Sequence, residues 1–149
     1  MDTPRVADFG RRLFRLGQLW RRHIDVRMRV FGLTDATWRP LFYLGRFGDG
    51  MRQTDLASAL TIEGPSLVRL LDALERQGLV ERHAEPDDRR VKTLRMTEAG
   101  RATYQQLAVV YAEVSDRLLA GVSDAEIVVC LRVFGLIERA LGPLNEGEA

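Results

Sequence analysis

Apolar residues recur every three or four positions along most of this chain and change to alternation in one short stretch. Phe9, Leu13, Leu16, Trp20, Ile24, Met28 and Phe31 make one stripe, which predicts a long helix ending at Gly32. Arg11, Arg15, Arg22 and Arg29 fall on its opposite face, and Gly17 suggests a close approach by another backbone. Thr34 and Asp35 can cap a second helix over 35–47, with Trp38, Leu41, Phe42 and Leu44 as its apolar members. Pro40 falls in the second turn of that helix and predicts a later start or a kink. The glycine-rich stretch Gly45–Gly50 reads as a loop. No strand precedes it and no Gly-Lys opens a helix after it, which argues against a phosphate-binding loop.

Residues 53–60 predict a short helix with Leu56, Ala57 and Leu60 inward and Thr54-Asp55 at its start. Residues 61–64 form a turn. Pro65 then suits the first turn of a further helix, where a missing N–H costs nothing. That helix runs from about 63 to 77, buries Leu67, Leu70, Leu71 and Leu74, and stops at Gly78. Two short helices joined by a tight turn are a helix-turn-helix. The period then falls to two: Leu79–His83 and Val91–Met96 read as strands flanking a turn at Pro86-Asp87-Asp88. Thr97-Glu98 opens a long helix in which Tyr104, Leu107, Tyr111, Val114 and Leu118 form a coiled-coil-like seam. Ser123 and Glu126 make a capping box for the last helix. Its stripe of Ile127, Cys130, Leu131, Phe134, Ile137 and Leu141 is broadened by Val128, Val129, Val133 and Leu136, so it needs burial on more than one side. The tail after Gly142 reads as loose.

The predicted fold class is therefore mainly α with a small β-hairpin. A hairpin directly after a helix-turn-helix makes a winged helix, whose second helix can enter a major groove while the hairpin tip reaches a minor groove or the backbone. Ser66 and Arg69 lie near the start of the candidate recognition helix, and Arg89 and Arg90 lie at the hairpin tip, where a long cation can enter a narrow groove. Asp88, two residues before Arg90, can orient its guanidinium by a bidentate bond. Asp72 and Glu75 are expected to face away from DNA or to pair with Arg69 and Arg76 at helical spacing.

Composition and charge narrow the picture. The 149 residues suit one domain, 46% are hydrophobic and 29% charged, and 22 basic residues against 21 acidic leave a net charge of +1. Residues 1–31 carry a surplus of positive charge, while 93–149 carry a surplus of negative charge. All the basic residues but Lys92 are Arg, which fits a GC-rich codon bias and is no sign of phosphate binding by itself. One cysteine excludes an internal disulfide and any cysteine-built zinc site, and His23 and His83 show no metal-ligand spacing. No cofactor and no metal are expected. No nucleophile sits in a catalytic arrangement with either histidine, so an enzyme is not expected. No apolar run reaches the roughly 18 residues of a membrane span, and the N-terminus has no signal-peptide stretch, so the expected setting is cytoplasmic. The competing class is a helical adaptor without DNA affinity, which would have no use for a basic hairpin tip.

Several motifs are similar to those of the MarR family of bacterial transcription regulators, and to its SlyA-like members in particular. They are Ile62-Glu63 followed by Pro65-Ser66-Leu67-Val68-Arg69, then Leu71-Asp72-x-Leu74-Glu75, Gly78-Leu79-Val80, Asp88-Arg89-Arg90-Val91-Lys92, and Arg95-Met96-Thr97-Glu98-x-Gly100. The resemblance covers nearly the whole chain. It implies one MarR-type domain over 1–149, with dimerisation helices at 1–33 and 98–142, a winged helix-turn-helix lobe at 34–97, and the wing at 79–96. It also implies an intertwined homodimer through the N- and C-terminal helices, bound to a pseudo-palindromic operator in double-stranded DNA. Pro65, Ser66 and Arg69 would then approach the major groove. Arg90 would enter the minor groove, oriented by Asp88 and helped by Arg89. A repressor released by a small aromatic acid or phenolic effector is the implied function. Arg15, Trp20, His23, Trp38 and Tyr43 are the candidate ligand residues, combining a cation, aromatic faces and a titratable ring. Thr61 departs from the family pattern, which often has Gly in this turn; a β-branched residue resists positive φ. Family members that sense peroxide use a cysteine in the first helix, and this chain has none there; Cys130, on an apolar stripe, is expected to be buried and inert.

Overall fold

A computed structural model describes residues 3–142. It contains six helices, a 3-10 turn and three short strands among those residues. Helix α1 spans Thr3–Met28 and is followed by the 3-10 turn at Arg29–Phe31. Helix α2 (Asp35–Phe47) is continuous through Pro40, so the late start expected from that proline does not occur. The helix begins at a hydroxyl cap instead: the Thr37 hydroxyl accepts the Thr34 N–H at 3.0 Å. Strand β1 is only Met51–Arg52, inside the region expected to be irregular before the next helix. Helices α3 (Gln53–Leu60) and α4 (Gly64–Arg76) form the helix-turn-helix. Strands β2 (Val80–Ala84) and β3 (Lys92–Met96) form the hairpin, and α5 (Glu98–Leu119) and α6 (Asp124–Leu141) complete the chain. The tail segment 143–149 lies outside the described residues.

The strands make one antiparallel sheet in the order β1-β3-β2. Arg82 faces Leu94 and His83 faces Thr93 in the hairpin, while Met51 faces Leu94 across the other edge. The third strand escaped the sequence reading because two residues carry no periodicity.

The chain divides into two compact units, 1–114 and 115–149. The core of the first is leucine-rich. Leu41 and Leu44 from α2, Leu56 from α3, and Leu67, Leu71 and Leu74 from α4 are fully buried, with Leu94 of β3 and Leu107 of α5. Each such side chain contributes roughly 1.5–3 kcal/mol on burial, enough to fix α4 against α2 and α3. Leu70, expected to be inward, is only half-buried. Two close approaches anchor the hairpin. A Cβ on Gly100 would come within 1.9 Å of the Leu79 carbonyl oxygen, so only glycine lets α5 begin against the start of the hairpin. Thr97 closes the same junction, donating its hydroxyl to the Gly78 carbonyl at 2.6 Å and accepting the Gly100 N–H at 2.9 Å.

On α1, only part of the expected stripe is used within the chain. Ile24 and Met28 are buried, but Phe9 is 48% and Leu16 62% exposed. A Cβ on Gly17 would meet nothing within 4 Å beyond its own helix, so the close approach expected there is absent among the described residues. In the second unit the capping box forms as expected, with the Ser123 N–H donating to Glu126 at 2.9 Å. These bonds hold the Glu126 carboxyl below its ordinary range. No residue of α6 is buried. Cys130, expected on a buried stripe, is exposed in this chain.

Candidate nucleic-acid interface

The interface is assembled from α4 and the hairpin. The leucines of α4 turn one face into the core and leave Pro65 and Arg69 exposed, with Ser66 half-buried near the helix start. Arg69 has no ion-pair partner among the described residues, so the expected pairing with Asp72 does not form. The turn before α4 is strained. Thr61 has φ +54°, the only positive φ outside glycine among the described residues. Its N–H donates to the Ser58 carbonyl at 3.0 Å and its hydroxyl to the Leu60 carbonyl at 2.7 Å. A β-branched side chain in this region costs on the order of 1 kcal/mol.

The hairpin has a braced base and a free tip. Asp49 accepts the Met96 N–H at 2.9 Å and pairs with Arg101 at 3.4 Å. Arg52 of β1 reaches across β3 to Glu85 at 3.3 Å. The brace with the most hydrogen bonds is Arg82 of β2. Its Nε donates to Glu75 at 3.0 Å, its Nη2 reaches both Asp72 and Glu75, and its backbone N–H donates to the other Glu75 oxygen at 3.0 Å. The hydrogen bonds from Arg82 hold the Glu75 carboxyl below its ordinary range against the opposing effect of burial, and they raise the Arg82 pKa in return. Asp72 and Glu75 therefore serve the wing strand, a correction to the expected pairing with Arg69 and Arg76.

Beyond these braces Asp87, Asp88, Arg89 and Arg90 are all exposed. Asp88 accepts the backbone N–H of Arg90 at 2.9 Å. It thus shapes the turn and does not clamp the guanidinium, which corrects the expected bidentate bond. The tip presents two arginines with no carboxylate partner among the described residues. That arrangement can place cations in a groove while α4 presents Arg69 in another.

The five candidate ligand residues separate. Trp38 is 3% exposed, and its indole N–H is taken by Asp25 of α1 at 2.8 Å. Trp20 is half-buried, close enough to Tyr111 of α5 to act on its hydroxyl. Tyr43 is half-buried with its ring 6.2 Å from Phe47, while Arg15 and His23 are exposed on α1. Phe42 is the centre of this aromatic group, with Trp38, Tyr104 and Tyr111 around it. Tyr111 stacks on it at 4.5 Å, and burial, with a smaller effect from Tyr43, pushes the Tyr111 hydroxyl pKa up. Tyr104 packs 5.9 Å from Phe42 and lies over Gly45, where a Cβ would strike its ring. A surface groove of about 370 Å³ runs along α1, lined by Gln18, Arg21, Arg22, Asp25, Val26 and Arg29, and includes none of the five.

A MarR family model matches residues 31–91, the lobe just described. Transcriptional regulator PA3341 is similar over 89% of this chain and 97% of its own, at 36% identity and a TM-score of 0.84. The chain belongs to the MarR family. Another similar structure is that of MepR from S. aureus in complex with DNA, 27% identical over 84% of this chain and 93% of that one, with a TM-score of 0.73. CouR from Rhodococcus jostii RHA1, solved with p-coumaroyl-CoA, shares the fold at 22% identity, with 92% and 94% coverage and a TM-score of 0.76. This MarR-family chain is thus a DNA-binding transcriptional regulator. No helix among its described residues is long and apolar enough to cross a membrane.

Two sets of residues in this MarR-family chain escaped the sequence reading. Arg82, with Asp72 and Glu75, was hidden because the contact joins a helix to a strand, whereas helical spacing offered nearer partners. Tyr111 falls on the α5 seam in the sequence pattern, and only the fold turns it toward Phe42 and Trp20.

Proposed function

We propose that this chain is a SlyA-like, ligand-responsive repressor that binds a pseudo-palindromic operator as a cytoplasmic homodimer. The observation that carries this reading is the division of labour among the arginines of the lobe. Among the described residues, Arg52 and Arg82 are engaged by carboxylates, whereas Arg69 on the exposed face of α4 and Arg89 and Arg90 at the hairpin tip are exposed without such partners. Pro65, Ser66 and Arg69 read the major groove, and Arg90 with Arg89 enters the minor groove from a turn shaped by Asp88. The homodimer reading is supported by apolar surface on both terminal helices. Phe14 and Leu16 on α1, and Val128, Leu131 and Leu141 on α6, are each more than half exposed in the single chain. Two lobes related by a twofold axis then meet half-sites about one DNA turn apart, and the bound dimer occludes a promoter.

Release follows when an aromatic acid or phenol prefers a dimer whose recognition helices are spaced for no such pair of sites. CouR, with its p-coumaroyl-CoA, is a precedent in the same fold. Trp20 and Tyr43, beside Tyr111, supply the aromatic contacts in this reading, with Arg15 and His23 as the polar groups on α1 and Trp38 as a supporting wall.

The test starts by selecting duplexes from a random library with the parent protein. Arg69→Ala is expected to weaken binding to the selected site by about 1–3 kcal/mol and to blur one base position, if its guanidinium reads a guanine. Arg90→Ala is expected to weaken binding more evenly across sequences and to lower the salt slope by about one. Parent-like affinity for both variants would overturn the site assignment.

A further inference from the structure

The contact between Arg82 and α4 is too exposed to matter much for stability, so its consequence is geometric. Arg82 is 22% exposed, Glu75 33% and Asp72 42%, and ion pairs at such positions add little to stability. The geometry, however, is over-determined. Strand β2 is an edge strand, so β3 covers only one of its sides. Glu75 accepts the Arg82 N–H on the uncovered side, and the guanidinium of the same residue bridges Asp72 and Glu75, three residues apart on one face of α4. A backbone bond and a fork of side-chain bonds therefore fix both the distance and the rotation between β2 and α4. Arg69 lies one helical turn before Asp72, and the tip follows directly on β2, the strand that carries Arg82.

Resting on the DNA-binding reading above, we propose that Arg82 is a positioning residue that sets the pitch of the wing against the recognition helix. The two groove contacts are then made by one rigid body. The ordering of wing against helix is complete before DNA arrives, and the correct site gains both contacts together. A guanidinium is required, since a lysine ammonium keeps the charge but cannot bridge two carboxylates in a fixed plane. The inference opposes a simpler role in which Arg82 is one more cation for phosphate.

The two roles differ in sign. Asp72→Asn with Glu75→Gln removes two negative charges beside the DNA-facing helix. If only charge matters, binding to every duplex tightens. If Arg82 positions the wing, affinity for the library-selected duplex relative to a scrambled duplex falls, by about ten-fold for a coupling of ordinary size. Arg82→Lys, which keeps the charge, is expected to lose selectivity in the same way, with thermal unfolding by circular dichroism close to the parent. Tighter binding to both duplexes by the double variant at unchanged selectivity, or full selectivity in Arg82→Lys, would overturn the inference. A parent protein that binds no duplex at all would overturn the DNA-binding reading itself, so the two failures are told apart.

Discussion

Helices α4 and α6 are both amphipathic, yet they meet opposite fates in the single chain. The three leucines on the inner face of α4 are fully buried, supported by α2 and α3. Helix α6 is the more apolar of the two, but Val128 remains 65% exposed, Leu131 62% and Leu141 73%. The lobe is thus a finished core with a polar outer face, and α6 is a surface whose partner is a second copy in the reading proposed above. In that reading the recognition residues stand on the part of the molecule that one chain completes by itself, and the terminal helices decide only where two such parts are held.

The largest expected effect separates these two regions directly. Leu71→Ala should cost about 2–5 kcal/mol in urea unfolding, because it leaves a cavity under the recognition helix. Polar substitution on α6 should act elsewhere. Leu131→Glu with Phe134→Glu is expected to shift sedimentation from dimer to monomer, and to raise the dimer dissociation constant about 100-fold or more. The lobe's circular-dichroism signature should survive. A variant that stays dimeric would mean that these side chains do not form the interface. The smallest effect lies in the turn. Thr61→Gly is expected to stabilise by about 1 kcal/mol by relieving the positive φ, less the added freedom of the unfolded chain. A loss of stability at this position would show that the Thr61 hydroxyl bond outweighs the strain.

Much of the lobe is legible in the sequence alone. Helix ends followed from Gly32, Pro65 and Gly78, and the hairpin from alternation around Pro86-Asp87-Asp88, because these signals are local. What stayed hidden was non-local. Asp72 and Glu75 have arginines at helical spacing, and nothing in the pattern favours Arg82 over them; only the packing of β2 on α4 decides it. Asp88 near Arg90 suggested a side-chain clamp, but the tight turn brings the backbone N–H within reach first. The Thr61 conflict was visible in the sequence as a β-branched residue where a glycine is easy, and the structure resolves it as retained strain. Trp38 was equally ambiguous, since an indole on an apolar stripe suits a core and a ligand wall alike; Asp25 takes its N–H into the core.

The most direct measurement is a hydroxyl-radical footprint of the full chain on its selected duplex, read on both strands. Two protected patches related by a twofold axis, centred about 10–10.5 base pairs apart and each flanked by a protected minor groove that Arg90→Ala exposes, are the expected result. A single patch without symmetry, or protection indifferent to Arg90, would contradict a pair of winged lobes reading two grooves each.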